Sequence, residues 1–180
     1  MPMIEPVPLD ALPPELAAAV ARGSRSRMLS STLPVQIWAH RPAVALAWLS
    51  AIEEIHVNGV LDPRLRELVR LKIASITTCR ACQIARKSDA VSEEDIACLS
   101  WDDPRFTAKE QAALHYAELF AADYFAIDEA IYAELAAQFG TAEIVELNLF
   151  AALMLAGGRL TYVQRGYPEE IDSPESVAAP

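Results

Sequence analysis

Between Asp62 and Ile76 the apolar residues Leu65, Leu68, Val69, Ile73 and Ile76 recur in helical steps, the mark of a helix with one buried face. Asp62-Pro63 supplies an N-cap and a first-turn proline, so this helix has a defined start. The same reading predicts a helix from Pro14 to Arg22, broken by Gly23-Ser24, and two more over Pro34 to His40 and Pro42 to about Asn58, the latter ended by Gly59. Downstream, a short helix from Cys79 to about Lys87 precedes Ser92-Glu93-Glu94-Asp95, which resembles a capping box and opens a helix through Leu99. Thr107-Ala108-Lys109-Glu110 is a full capping box opening a helix to about Ala122. Asp128 starts the next, Gly140 ends it, and Thr141 caps a last helix from Ala142 to about Gln164, with Gly157-Gly158 as a weak or kinked point. No convincing strand emerges. The chain reads as an all-α, single-domain multi-helix bundle over residues 15–166, with a proline-rich extended arm at 1–14 and a loose tail at 167–180.

Composition narrows the function classes. A chain of 180 residues is long enough to bury a core without disulfide staples. Its formal charge of -10 argues against nucleic acid and anionic membranes, both of which require a basic patch. The N-terminus lacks a basic segment followed by an apolar run, and the longest apolar run, Leu149 to Ala156, is far shorter than a membrane span. A cytoplasmic protein is expected. Three cysteines in a reducing compartment favour a catalytic or transient pair plus a bystander, and Cys98 is the bystander.

Cys79 and Cys82 stand three residues apart, the spacing that puts two thiols on one helical face. With Thr78 as N-cap, both fall in the first turn, where free N–H groups and the helix dipole favour a thiolate. Glu67 lies upstream, and a carboxylate held near a thiol can accept its proton. Arg80 and Arg86 make the setting electropositive. Two blander readings stay open. The pair could be half of a zinc site, although only Cys98, His40, His56 and His115 remain to complete four ligands, or it could be two inert core residues. Glu67 falls nearly opposite the centre of its helix's apolar stripe, which on its own describes a solvated carboxylate. Lys72 lies within that stripe and needs a partner or a route to water.

A weak internal repeat appears at an offset of 79, which lays Glu67-Leu68 on Glu146-Leu147, Arg80 on Arg159 and Arg86 on Arg165. Gly158 and Thr161 then stand where the first copy has Cys79 and Cys82. Duplication and chance similarity of two amphipathic helices both account for it.

Glu67, eleven intervening residues, then Cys79-x-x-Cys82, resembles the signature of the carboxymuconolactone decarboxylase-like superfamily, in its alkyl hydroperoxidase D-like branch. Leu61-Asp62-Pro63-Arg64-Leu65-Arg66-Glu67-Leu68, Ser92-Glu93-Glu94-Asp95-Ile96 and Ala142-Glu143-Ile144-Val145-Glu146-Leu147 carry the resemblance through roughly Leu33 to Arg165. It implies an all-helical homo-oligomer, a trimer or hexamer, with thiol peroxidase chemistry. By position, Cys82 would be the peroxidatic thiolate, Cys79 the resolving thiol and Glu67 part of the proton relay. Electrons would come from a dithiol donor such as a lipoyl group on a partner protein. No metal, haem or flavin cofactor is implied.

Two positions depart from the family pattern, with Arg86 where a His usually follows the second Cys and Ala81 where the hydroperoxidases have another His. Arg86 cannot shuttle protons at neutral pH, but it can stabilise a thiolate or hold an anionic substrate, as can Arg80. The leading expectation is a thiol-dependent hydroperoxidase or disulfide oxidoreductase. The alternatives are a carboxymuconolactone decarboxylase-like enzyme, whose chemistry uses no CxxC, and a non-catalytic redox-sensing oligomer.

Overall fold

Asp62 caps its helix as the spacing predicts: its carboxylate accepts from the backbone N–H of Arg64 at 2.8 Å and of Leu65 at 3.4 Å. The structure, a computed structural model, describes residues 1–167 apart from the Arg80 side chain. The tail expected over 167–180 therefore lies, beyond Tyr167, outside the described residues.

Among those residues there are helices and no strands: α1 Pro14–Arg25, α2 Leu33–Trp38, α3 Pro42–Asn58, α4 Pro63–Ile76, α5 Arg80–Ile84, α6 Glu93–Ala97, α7 Ala108–Ala122, α8 Glu129–Gln138 and α9 Thr141–Val163. The all-α fold class holds. The described residues divide into two compact units, Gly59–Gly158 and Met1–Asn58 with residues 159–167.

In the unit that contains Met1–Asn58, α1 packs on α3 around Leu16, Ala19, Val20, Val35, Ala45 and Leu49. The N-terminal arm is extended but tied down, since Met3 N–H donates to Gln164 O and Val7 N–H to Gln36 O. Gly23-Ser24 does not end α1, which continues to Arg25. Gly23 is there because a Cβ at that position would come within 2.8 Å of Met28 Cε and 2.9 Å of Leu29 Cγ. A packing contact had the sequence signature of a helix break.

In the unit Gly59–Gly158, α4 packs chiefly on α7, and Leu68, Leu71, Val91, Phe106 and Leu114 share a core. Both capping boxes form, with the Ser92 and Thr107 hydroxyls accepting from the N–H groups of Asp95 and Glu110. Helix α6 nevertheless stops at Ala97, short of Leu99, whose carbonyl instead accepts from Lys72 Nζ at 2.8 Å. Lys72 also pairs with Glu118, so this buried lysine has both a carboxylate and a carbonyl.

Thr141 is the first residue of α9 rather than its cap, and Gly140 N–H is held by Glu143 at 2.8 Å. By length and composition α9 could cross a membrane, although its longest uninterrupted apolar run could not. The glycines and the lone Arg159 within it interrupt the run without making the whole helix polar.

Candidate functional site at the Cys79–Cys82 pair

The turn joining α4 to α5 places the cysteines. Cys79 N–H bonds Ala74 O at 3.1 Å and Thr78 N–H bonds Ser75 O at 3.4 Å, which together make a Schellman closure of α4. The closure needs a left-handed residue just after the helix end, and Thr78 supplies it with φ 52°. Thr78 is therefore not the N-cap of the next helix. That position falls to Cys79, so one residue both completes the end of α4 and begins α5. Helix α5 is a single turn that stops at Ile84, before Lys87, because Ala85 turns extended.

Cys79 is buried, Cys82 is partly exposed, and the two are joined as a disulfide with their Cα atoms 5.2 Å apart. The bond closes within one turn. Among the described residues no cluster of His, Cys, Asp and Glu could hold a metal ion. Cys98, at the C-cap of α6, is free and partly buried.

Glu67 is not on a solvated face. It is 2% exposed, and the solvent-facing reading fails because α5 and the loop after it cover that side of α4. Arg70, one turn on and 6% exposed, donates from Nε to Glu67 Oε2 at 2.8 Å and from Nη2 to Oε1 at 2.7 Å. The same guanidinium reaches the carbonyls of Cys82, from Nη1, and of Ala85, from Nη2, each at 2.5 Å. Lys87 N–H closes the arrangement on Glu67 Oε1 at 3.0 Å. An ion pair on α4 thus caps the carbonyl end of the cysteine helix and ties down the loop behind it. Each buried charge is compensated, as burial requires.

A carboxylate offers about four acceptor positions, and three of Glu67's are taken by described donors, leaving room on Oε2. The Lys87 amine is pushed down to about 8, first by burial and then by the Arg70 charge, with Glu67 opposing. It is a titrating group close to neutral pH in the same loop.

Arg86 bends back, donating to the carbonyl of Gln83 and, at 3.3 Å, to both oxygens of Glu93. Arg80 belongs to α5, but its side chain lies outside the described residues. The structure therefore brings Cys79, Cys82 and Glu67 into one neighbourhood and adds Arg70 and Lys87. Neither was singled out in the sequence; for Arg70, the spacing three residues after Glu67 was the available signal.

Helix α9 approaches from the other side, where a Cβ placed on Gly158 would lie 3.9 Å from each sulfur. The proposed repeat has a partial structural counterpart. Glu146, aligned with Glu67, also holds loop N–H groups, those of Val60 at 2.8 Å and Leu61 at 3.0 Å.

Comparison with known proteins is consistent with this geometry. Residues 42–119, which include Glu67 and both cysteines, match the carboxymuconolactone decarboxylase family. An uncharacterized protein, YnjA, from Escherichia coli K12 is 27% identical over 139 residues, covering 70% of this chain and 73% of its own. Among solved structures, the debrominase Bmp8 in complex with 2,3,4-tribromopyrrole superposes with TM-score 0.77 at 16% identity, covering 94% of this chain and 92% of that one. A peroxidase-related protein from Ralstonia eutropha JMP134, with an alkylhydroperoxidase AhpD core, gives 0.63 at 18% identity and 93% coverage of each chain. The segment 42–119 thus matches the carboxymuconolactone decarboxylase family, and the chain has the all-helical fold seen in alkyl hydroperoxidase D-like proteins.

Proposed function

We propose that this protein is a thiol-dependent hydroperoxidase that cycles the Cys79–Cys82 pair between dithiol and disulfide. The observation that carries the reading is that pair, closed within one turn and backed by the buried Glu67–Arg70 pair. Cys82, the more exposed of the two, attacks the hydroperoxide as its thiolate; the O–O bond breaks, an alcohol leaves, and Cys82 becomes a sulfenic acid. The Cys79 thiol then displaces water and forms the disulfide. A dithiol donor, such as a lipoyl group, reduces it with two electrons and two protons. Glu67 accepts the Cys82 proton through its remaining acceptor position, while the charges of Arg86 and Arg80 favour the thiolate. Without the family's histidines, the rate falls below that of relatives with a full relay.

A second reading follows from the fold shared with a debrominase. The same dithiol could take a halogen from an electron-rich ring: the ring gains a proton, halide leaves, and the cysteines end as the same disulfide. A peroxide-consumption assay with several dithiol donors tests the first reading. Turnover lost in Cys82→Ser is the expected result; peroxide consumption unchanged in that variant removes the assignment. Halide release from a bromopyrrole in the absence of peroxide turnover would favour the second.

A further inference from the structure

The Arg70 guanidinium lies between the Glu67 carboxylate and the turn that carries Cys82. Its Nε and Nη2 face the carboxylate at 2.8 and 2.7 Å, while Nη1 and Nη2 reach the carbonyls of Cys82 and Ala85. The donors of a planar guanidinium radiate in different directions, so the cation is interposed. Four of its five N–H groups are used in this way, and the one left over is on Nη1, the nitrogen already at Cys82. Reduction of the disulfide changes the sulfurs and leaves these carbonyls as they are. Arg70 therefore keeps its place beside the reduced cysteine.

The Cys82 sulfur belongs to the same residue as the bonded carbonyl, which puts it within about 7 Å of the guanidinium in any rotamer. That is inside the screening length of about 8 Å, and Arg70 is itself buried. A cation so placed favours a thiolate over a thiol. Glu67 offsets the charge in the resting ion pair, but only in part. After burial, the larger charge effect on the Lys87 amine is that of Arg70, which lowers it, and not that of Glu67, which raises it. When Glu67 takes up the Cys82 proton, the offset disappears. A carboxylate and a thiol become a carboxylic acid and a thiolate, the net charge of the three groups is unchanged, and no electron moves.

We infer that Arg70 is a positioning residue for the thiol chemistry: it is the counter-ion of Glu67 in the resting protein and of the Cys82 thiolate once the proton has crossed. One buried cation serves two anions in turn without moving. This inference rests on the thiolate role proposed above for Cys82 but not on the substrate that the thiolate attacks.

The test follows alkylation of Cys82 by iodoacetamide in the full chain carrying Cys79→Ser, read by mass spectrometry from about pH 5 to pH 10. Arg80, Lys87 and Arg86 with its partner Glu93, the other charged residues of this turn and its contacts, stay unaltered throughout. Alkylation of Cys98 in the same samples reports whether the fold is kept. Glu67→Gln removes the offset and should move the pH midpoint of Cys82 alkylation down. Adding Arg70→Met to Glu67→Gln, which leaves no stranded carboxylate, should move it back up and slow alkylation at neutral pH about threefold or more, the greater reactivity of a more basic thiolate making up part of the loss. Adding Arg70→Lys instead keeps the charge and should leave the midpoint near that of Glu67→Gln. A purely structural role would give the methionine and lysine forms one profile, and that result overturns the inference, as does a Glu67→Gln midpoint that does not fall. Should the methionine form not fold, the parent against Glu67→Gln decides alone. Alkylation uses no peroxide. Profiles that shift as expected in a protein that consumes no peroxide remove the peroxidase reading alone, whereas a peroxide-consuming parent with unresponsive variants removes this inference alone.

Discussion

Arg70 grips both carboxylate oxygens of Glu67 and, with the same guanidinium, the backbone carbonyl of Cys82. The position of the partly exposed Cys82 is therefore coupled to a buried ion pair on the neighbouring helix. Removing one partner of such a pair strands the other and typically costs 3–5 kcal/mol. Arg70→Ala is expected to lower unfolding free energy by about 3 kcal/mol, with Arg70→Lys only partly restoring it, because an ammonium cannot span both oxygens and two carbonyls. Denaturant unfolding of the singles and of the Glu67→Gln/Arg70→Met double variant checks this. Additive losses would deny the coupling.

Peroxide turnover should separate the three proposed roles. Cys82→Ser should be inactive, Cys79→Ser should accumulate a sulfenic acid or mixed disulfide, and Glu67→Gln should slow the reaction by about 10²-fold or more if Glu67 moves the proton. Arg86→His should raise the rate by restoring a group able to shuttle protons. A Glu67→Gln variant as fast as the parent would reduce Glu67 to an anchor for Arg70.

Thr78 is a β-branched residue at φ 52°, held there by the closure of α4. Glycine adopts that conformation without a Cβ penalty, so Thr78→Gly should raise stability by about 0.5–1 kcal/mol. Thermal unfolding checks the sign. A loss of stability would mean that the threonine makes contacts worth more than its strain.

Acid should loosen the loop that leads into α6. Arg64 bonds Asp95 at 2.8 Å and Glu110 at 2.7 Å, and the Asp95 carboxyl is held down to about 2, mainly by that Arg64 hydrogen bond. A folded value below the unfolded one stabilises fully above the unfolded value, near 3.9, and the benefit disappears as pH falls through about 2. With both side chains partly in water, about 1–2 kcal/mol is at stake. Asp95→Asn should flatten the stability profile between about pH 4 and pH 2; a profile as steep as the parent's would assign the acid loss elsewhere.

Helix α9 carries Val145, 52% exposed, and Leu149, 57% exposed, followed by exposed Ala152 and Ala156 at alternating four- and three-residue steps. That apolar seam is the kind a second helix covers. Light scattering should return a trimer or hexamer at micromolar concentration, and Leu149→Glu should reduce the mass. A parent that runs as a monomer removes the expectation.

The helices were legible from local residues, because apolar period, capping residues and prolines act over a few residues and need no distant partner. Asp62, Ser92 and Thr107 cap where their spacing says they should. The sequence also marked the Cys79–Cys82 pair, since one helical turn brings those residues together whatever the rest of the chain does. Residues whose partners lie elsewhere in the chain took their meaning from packing. Gly23 looked like a break and is a packing contact; Thr78 looked like a cap and is the left-handed residue that ends α4. Glu67 looked solvated because a helical wheel knows nothing of α5 folding back over it. Arg70 found its role there too, since its carbonyl partners are 12 and 15 residues away and become neighbours only when the turn at Thr78 closes.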